Sequence, residues 1–331
     1  MEKYDAKAPI VMTEVTRRFG GFTAVDGISM DVPHGTILGL IGPSGSGKTT
    51  VIRMLNGTLE PTSGEVRVLG ADPRQFKRRT RERIGYVPQR FELYEELTTQ
   101  ENVSFAASLF GVLWPWRPRR VRETLEALEL WDVRDRRAKS LSGGMQRRLM
   151  LAAALAHLPS LLFIDEPTAG IDPILRQKIW HEFRRLRDEG RTLLVTTQYV
   201  GEAENCDLVA LIAEGRLIAM DEPEQLRHKA LGGDVIEILT TRAVDGAFLS
   251  DTPGVKEVRQ NGPRRLLVIT QQAGTTAPRL MDAIRAQGAE VVSSSEYHPT
   301  FDEVFTELVA RDQREHEQMR GEDEENARRL G

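Results

Sequence analysis

The chain has 331 residues, 40% hydrophobic and 28% charged, with a net charge of −4. At roughly 150 residues per domain this is enough for about two globular cores. The near-neutral charge excludes a protein that coats nucleic acid by bulk charge. No apolar run approaches the ~18 residues that cross a bilayer, the longest being about eight, Leu149 to Ala156.

In chain order, 10–16 and 25–32 read as short strands. TILGLIG follows as a buried strand ending in glycine, and TTVIRMLN, closed by Gly57, as a helix. Strand, glycine loop and helix begin an α/β unit. EVRVLG at 65–70 and IGYV at 84–87 are further strands. From about Thr98 the pattern turns helical: Thr98 to Glu101 forms a capping box, and Val121, Leu125 and Leu128 share a face. Ser142 caps a helix running to about His157 and stopped by Pro159. LLFID at 161–165 is a buried strand. Asp172 caps a helix with Pro173 at its first position, and Gly190 ends it. TLLVTT at 192–197 is a strand, and VALIAEGRLIAM a hairpin turning at Glu214–Gly215.

Near Leu231–Gly233 the character shifts. The strands VIEILT, RRLLVIT and EVVSS, with the helical APRLMDAIRAQG between the last two, suggest a small α+β domain that ends in the helix FDEVFTELVAR. From Asp312 onward the chain is charge of both signs with almost nothing apolar, a frayed helix or a disordered tail. The start, MEKYDAKAP, has no apolar core of a secretory signal. The single Cys206 excludes an intrachain disulfide, fits a reducing compartment, and reads as a small buried hydrophobe.

Two motifs carry chemistry. GPSGSGKT, residues 42–49, matches G-x-x-x-x-G-K-[ST]. Gly42, Gly45 and Gly47 let the backbone curl through Pro43, Ser44 and Ser46, so that successive N–H groups face phosphate oxygens. The helix start that follows, with Thr50, adds its positive end. Lys48 meets the β- and γ-phosphates, and the Thr49 hydroxyl is a Mg²⁺ ligand. In LLFIDE, Asp165 ends a buried strand where it can reach the Mg²⁺ shell, and Glu166 can polarise a water at the γ-phosphate.

With GPSGSGKT, Gln89 after YVP, LSGGM at 141–145, LLFIDEPT and AGID in that order, residues 10–230 resemble the nucleotide-binding subunits of ABC transporters. The resemblance implies a P-loop NTPase of the α/β class, with a mixed-sheet core, a helical subdomain at about 90–158, and a cassette spanning 10–232. An α+β accessory domain at 233–311 and the charged tail 312–331 would follow. It implies that two copies, a homodimer, sandwich two ATP molecules, each between one copy's phosphate loop and the other copy's Ser142, Gly143 and Gly144. Locally these three residues are also a plain helix cap. Gln89 then touches Mg²⁺ and senses a membrane subunit, and Asp172 links the copies while capping its own helix. Phe19 stacks on adenine, with Phe22 as the competing choice and core packing open for either.

Two positions depart from the family pattern. Met145 stands where Gln is common, and Gln198 where the switch His is common. A glutamine amide can still donate to a γ-phosphate but cannot become charged. Met145, Gln198, TTQY and the ending PTFDEVF are similar to bacterial exporters of the daunorubicin-resistance type. Glu166, Gln198 and Lys48 are the expected catalytic residues of an ATPase powering translocation, with export favoured. Separate membrane permeases would form the pore and hold this subunit at the cytoplasmic face, with no nucleic acid involved. Phe91, Tyr94, Phe110, Trp114 and Trp116 are candidate contacts for them, or core. The basic runs at Arg74–Arg83 and Arg117–Arg122 lie near lipid headgroups or are solvated faces. An ATPase acting on nucleic acid or ribosomes is the second reading, and a non-hydrolysing regulatory subunit the third.

Overall fold

The computed structural model describes residues 8–90 and 92–330. It divides into two compact units between Met220 and Asp221, not at the expected 232.

The first unit opens with β1 (Ile10–Phe19) and β2 (Phe22–Val32), longer than expected because Gly20 and Gly21 close them into one hairpin. β3 (Ile37–Ile41) leads into α1 (Lys48–Leu55). β4 (Ser63–Val68), a short α2 (Arg78–Arg81) and β5 (Ile84–Val87) follow. β4 pairs with β1, completing an antiparallel three-stranded sheet in the order β2-β1-β4.

The helical segment comprises α3 (Thr99–Leu109), α4 (Arg117–Ala127) and α5 (Gly143–Leu155). The Thr98–Glu101 capping box is present, and Val121 and Leu125 are buried as their spacing predicts. The chain returns through β6 (Leu161–Asp165), α6 (Pro173–Asp188), β7 (Thr192–Thr197) and the hairpin β8 (Leu208–Ala213) and β9 (Arg216–Asp221). The central sheet has the order β5-β6-β7-β3-β8-β9. β3, β6 and β7 are buried at every residue, as strands covered on both faces must be. The neighbour pairs β5-β6, β6-β7, β7-β3 and β3-β8 are parallel, so the chain-terminal ends of β3 and β6 lie on the same side of the sheet. No helix among the described residues is long and apolar enough to cross a membrane.

The second unit begins with α7 (Pro223–Leu231), β10 (Asp234–Thr240), β11 (Val255–Gln260) and β12 (Arg265–Thr270). It ends with α8 (Ala273–Ala286), β13 (Val291–Glu296) and α9 (Phe301–Leu330). Its antiparallel sheet runs β11-β12-β10-β13. Ile236, Ile238, Leu266 and Val268 pack against Leu280 and Ile284 of α8. α7 belongs here because it packs on α9, with the Arg227 guanidinium 4.7 Å from the Phe301 ring centroid. Beyond Asp312 the backbone continues as helix, the first of the two expected alternatives for this segment, and Arg311 pairs with Glu315 one turn on.

Candidate functional site

The glycine loop of residues 42–47 sits between the end of β3 and the start of α1. A side chain at Gly42 would place its Cβ 2.0 Å from the Ile212 carbonyl oxygen, so only glycine fits. Gly47, the cap of α1, has φ of 106°, and its Cβ would meet the Ala24 carbonyl. Between them Gly45 also takes positive φ, and Ser46 N–H donates to Pro43 O at 3.2 Å, which curls the loop through Ser44. Thr50 follows in the first turn of α1.

The parallel pairings bring the rest together. β3 adjoins β7, and the Gly42 N–H reaches Thr197 O at 3.3 Å. β7 adjoins β6, pairing Asp165 with Thr196. Asp165 Oδ1 accepts from Thr196 Oγ1 at 2.6 Å and from Thr49 Oγ1 at 3.3 Å, which brings the strand acid and the loop hydroxyl together. Asp165 Oδ2 is buried with no hydrogen-bond partner, an arrangement that costs free energy unless a cation or water answers it. A carboxylate beside a hydroxyl is a hard oxygen pair. Among the described residues no group of three or more His, Cys, Asp or Glu could hold a metal, so a cation here would take most of its ligands from phosphate and water.

Lys48 is almost fully buried, and its ammonium donates to Gly42 O at 2.8 Å and Pro43 O at 2.9 Å. Burial lowers its pKa, while Glu166 and Asp165 oppose the shift. Glu166 Oε1 lies 3.9 Å from that ammonium, and Glu166 Oε2 accepts from the Gln89 amide at 2.7 Å. Glu166 has φ of 48°, a left-handed backbone rare for a non-glycine. Its N–H is held by Thr196, through O at 3.1 Å and Oγ1 at 3.0 Å. Gln89 therefore touches the acid at 166 in this structure.

The other expected residues occupy separate places. Ser142 caps α5 by accepting from Met145 N, and Gly143 opens onto free space. Gly144 lies against Leu175, where an added Cβ would be only 2.6 Å from the Leu175 side chain. Asp172 caps α6, accepting from Ile174 N and Leu175 N at 3.0 Å each. Gln198 is exposed immediately after β7. Phe19 and Phe22 face each other across the hairpin tip and are 46% and 64% exposed, so neither is core. The Arg17 guanidinium lies 4.5 Å from the Phe19 ring centroid.

A groove beside α3 and α5 is lined by Tyr86, Pro88, Leu93, Leu109, Phe110 and His157. Tyr94, Trp114 and Trp116 are exposed, the Trp pair at 76% and 61%, while Phe110 is half-buried against His157; Phe91 lies outside the described residues. The basic runs are paired locally, Arg74 with Asp72, Arg78 with Glu82, and Arg119 and Arg120 with Glu123, which favours the solvated-face reading. Cys206 is buried and its thiol is pushed up by burial, as a small apolar side chain would be.

Two site residues escape sequence reading. Thr196 bonds both acids, but nothing local marks a strand threonine. Arg147 is buried among Pro88, Gln89 and Glu166, and nothing in its local sequence marks it.

A pattern described as ABC transporter matches residues 25–169, and one described as ATP-binding protein DrrA1-3-like, C-terminal domain, matches 222–309. The chain is 38% identical over 296 residues to the daunorubicin/doxorubicin resistance ATP-binding protein DrrA of Streptomyces peucetius, covering 88% of this chain and 89% of that one. It is 38% identical over 217 residues to the probable multidrug ABC transporter ATP-binding protein YbhF of Escherichia coli K12. That match covers 66% of this chain and spans only 38% of YbhF. Among solved structures it is similar to a dimeric post-hydrolysis state of the ATP-binding cassette MJ0796 bound to ADP and Pi. The TM-score is 0.59 at 26% identity, over 64% of this chain and 98% of that one.

Proposed function

The chain belongs to the ABC transporter ATP-binding subunits, on the branch of the daunorubicin-resistance proteins, and from that membership we propose that it hydrolyses ATP to drive export through separate membrane subunits. The observation that carries this is the convergence of Lys48, Thr49, Asp165, Glu166 and Gln89 at the ends of β3 and β6. The export direction draws on the drug-resistance and multidrug names of its relatives.

In this reading the loop N–H groups and Lys48 bind the phosphates, with Lys48 exchanging its contacts to the Gly42 and Pro43 carbonyls for phosphate oxygens. Thr49, Asp165 and Gln89 would hold Mg²⁺, whose charge neutralises the phosphates. Glu166, freed from the Gln89 amide, accepts the proton of the attacking water. Gln198 donates to the γ-phosphate, and Phe19 stacks on the base. A second copy supplies Ser142, Gly143 and Gly144, whose helix start is a second anion site, with Asp172 at the junction between copies. Closing and opening of this homodimer biases the permeases at the cytoplasmic face, docked in the groove beside Phe110.

The test is steady-state Mg-ATP hydrolysis by the purified complex. Wild type should turn over, and Glu166→Gln should lose roughly 100-fold or more in kcat while still dimerising on ATP. A wild type that dimerises on ATP without hydrolysing it would favour a regulatory subunit instead.

A further inference from the structure

Arg147 lies in the second turn of α5, and its side chain is removed from solvent. Nη1 donates to Pro88 O at 3.0 Å and to Gln89 O at 3.1 Å, and Nη2 donates to Glu166 O at 3.2 Å. The side chains of Gln89 and Glu166 are themselves bonded to each other at 2.7 Å. One guanidinium therefore grips both partners of that bond by their main chains. The planar fork fixes the relative position of the loop after β5 and the residue after β6. A shorter neutral side chain could not span three carbonyls.

Burying this cation is costly, and burial lowers its pKa, with Asp165 and then Glu166 opposing the shift. Glu166 also holds a left-handed backbone, which persists only where surrounding bonds over-determine it. Thr196 anchors its N–H and Arg147 its carbonyl.

We propose that Arg147 is a positioning residue for hydrolysis, tying α5 to Glu166 and Gln89 of its own subunit. The proposal rests on reading Glu166 as the base and Ser142–Gly144 as the contact to the other copy's ATP. The first turn of α5 then faces one nucleotide while its second turn holds the base that acts on the other. A rigid helix carries engagement at one ATP into the geometry of the second site.

The experiment uses the full chain in its purified membrane complex, with Mg-ATP, and compares Arg147→Met and Arg147→Lys with wild type. Arg147→Met is expected to lose roughly 10-fold or more in kcat, with ATP affinity within about 2-fold and a lower Hill coefficient for ATP. Arg147→Lys, which keeps the charge and part of the bonding, recovers part of both. Combined with Gln89→Ala, the kcat loss falls short of the product of the single losses. The proposal is overturned by kcat and Hill coefficient near wild type in a folded variant, by losses that multiply, or by affinity and melting temperature falling in step with kcat. Should Arg147→Met not fold, the kcat and Hill coefficient of Arg147→Lys decide alone. Wild-type hydrolysis in Glu166→Gln would instead remove the underlying reading, whatever the Arg147 variants show.

Discussion

At the scale of single residues, the motifs picked out side chains that the fold brings together but not the network that joins them. Gly42, Lys48, Asp165 and Glu166 were legible because each role proposed for them needs one residue type at a set distance from a strand end. Thr196 and Arg147 were not, because their value comes from neighbours brought in by strand register and helix packing. The hydrogen bond from Gln89 to Glu166 likewise joins segments far apart in the chain. Gln198 is the sharpest residue-level case. It sits one position beyond Thr197, whose carbonyl receives the Gly42 N–H, so it borders the phosphate loop with a neutral donor and no titrating group. A hydrogen bond to a charged partner contributes about 1.5–3 kcal/mol, or roughly 10- to 100-fold. Gln198→Ala should therefore reduce kcat for ATP by about that factor. Unchanged turnover would leave Gln198 without a catalytic part. Gln198→His, unlike Gln198→Ala, should keep activity and add a dependence on pH near 6.5 that wild type lacks.

At the scale of elements, strongly patterned segments were legible and context-dependent ones were not. β5, β6 and β7 match the expected bounds because a short run rich in apolar and β-branched residues between turns has few alternatives. β11 was missed, since VKEVRQ is half charged and mostly exposed and becomes a strand by pairing with β12. Where α5 meets β5, His157 shows how an element junction responds to solution conditions. Its Nε2 lies 3.0 Å from Ile84 O, and its ring stacks on Phe110 with centroids 4.2 Å apart. That bond requires the proton on Nε2, leaving Nδ1 buried without a partner. Burial lowers the His157 pKa below 6.5, Arg191 adds to the shift, and the Ile84 carbonyl and Glu82 oppose it. Below about pH 6.5 the unfolded chain binds a proton here that the folded chain refuses. The stabilising difference is thus complete above that pH and is lost as pH falls toward the folded value, at up to about 1.4 kcal/mol per pH unit. Urea midpoints measured from pH 7.5 to 5 should fall more steeply for wild type than for His157→Gln. Parallel curves would mean that His157 takes up its proton in the folded protein as readily as in the unfolded chain.

At the scale of the whole molecule, chain length pointed to about two cores but not to the seam between them. The change in character at Leu231–Gly233 marks where α7 ends, whereas the division between units falls before it, at Met220. Helix α7 carries only Leu226 and Ala230 as buried residues, and its own sequence does not say which core they complete. Its partner is α9, where Arg227 covers Phe301 and bonds Pro299 O. Each unit thus holds its own apolar cluster, one around Leu38, Leu40 and Phe163, the other around Ile238, Leu266 and Leu280. Units with separate cores should respond separately to perturbation. Mg-ATP at 100 times its Kd adds about 2.7 kcal/mol to whatever must stay folded to bind it. In calorimetry of the full chain it should raise only the transition of the first unit. Leu280→Ala removes a fully buried side chain and should cost about 2–5 kcal/mol in the second unit alone. A transition that ATP raises and Leu280→Ala leaves in place, beside one with the opposite behaviour, would establish two folding units. A single transition moved by both would mean that ATP binding and the second core are coupled in stability, so that loss of the C-terminal unit would itself weaken ATP binding.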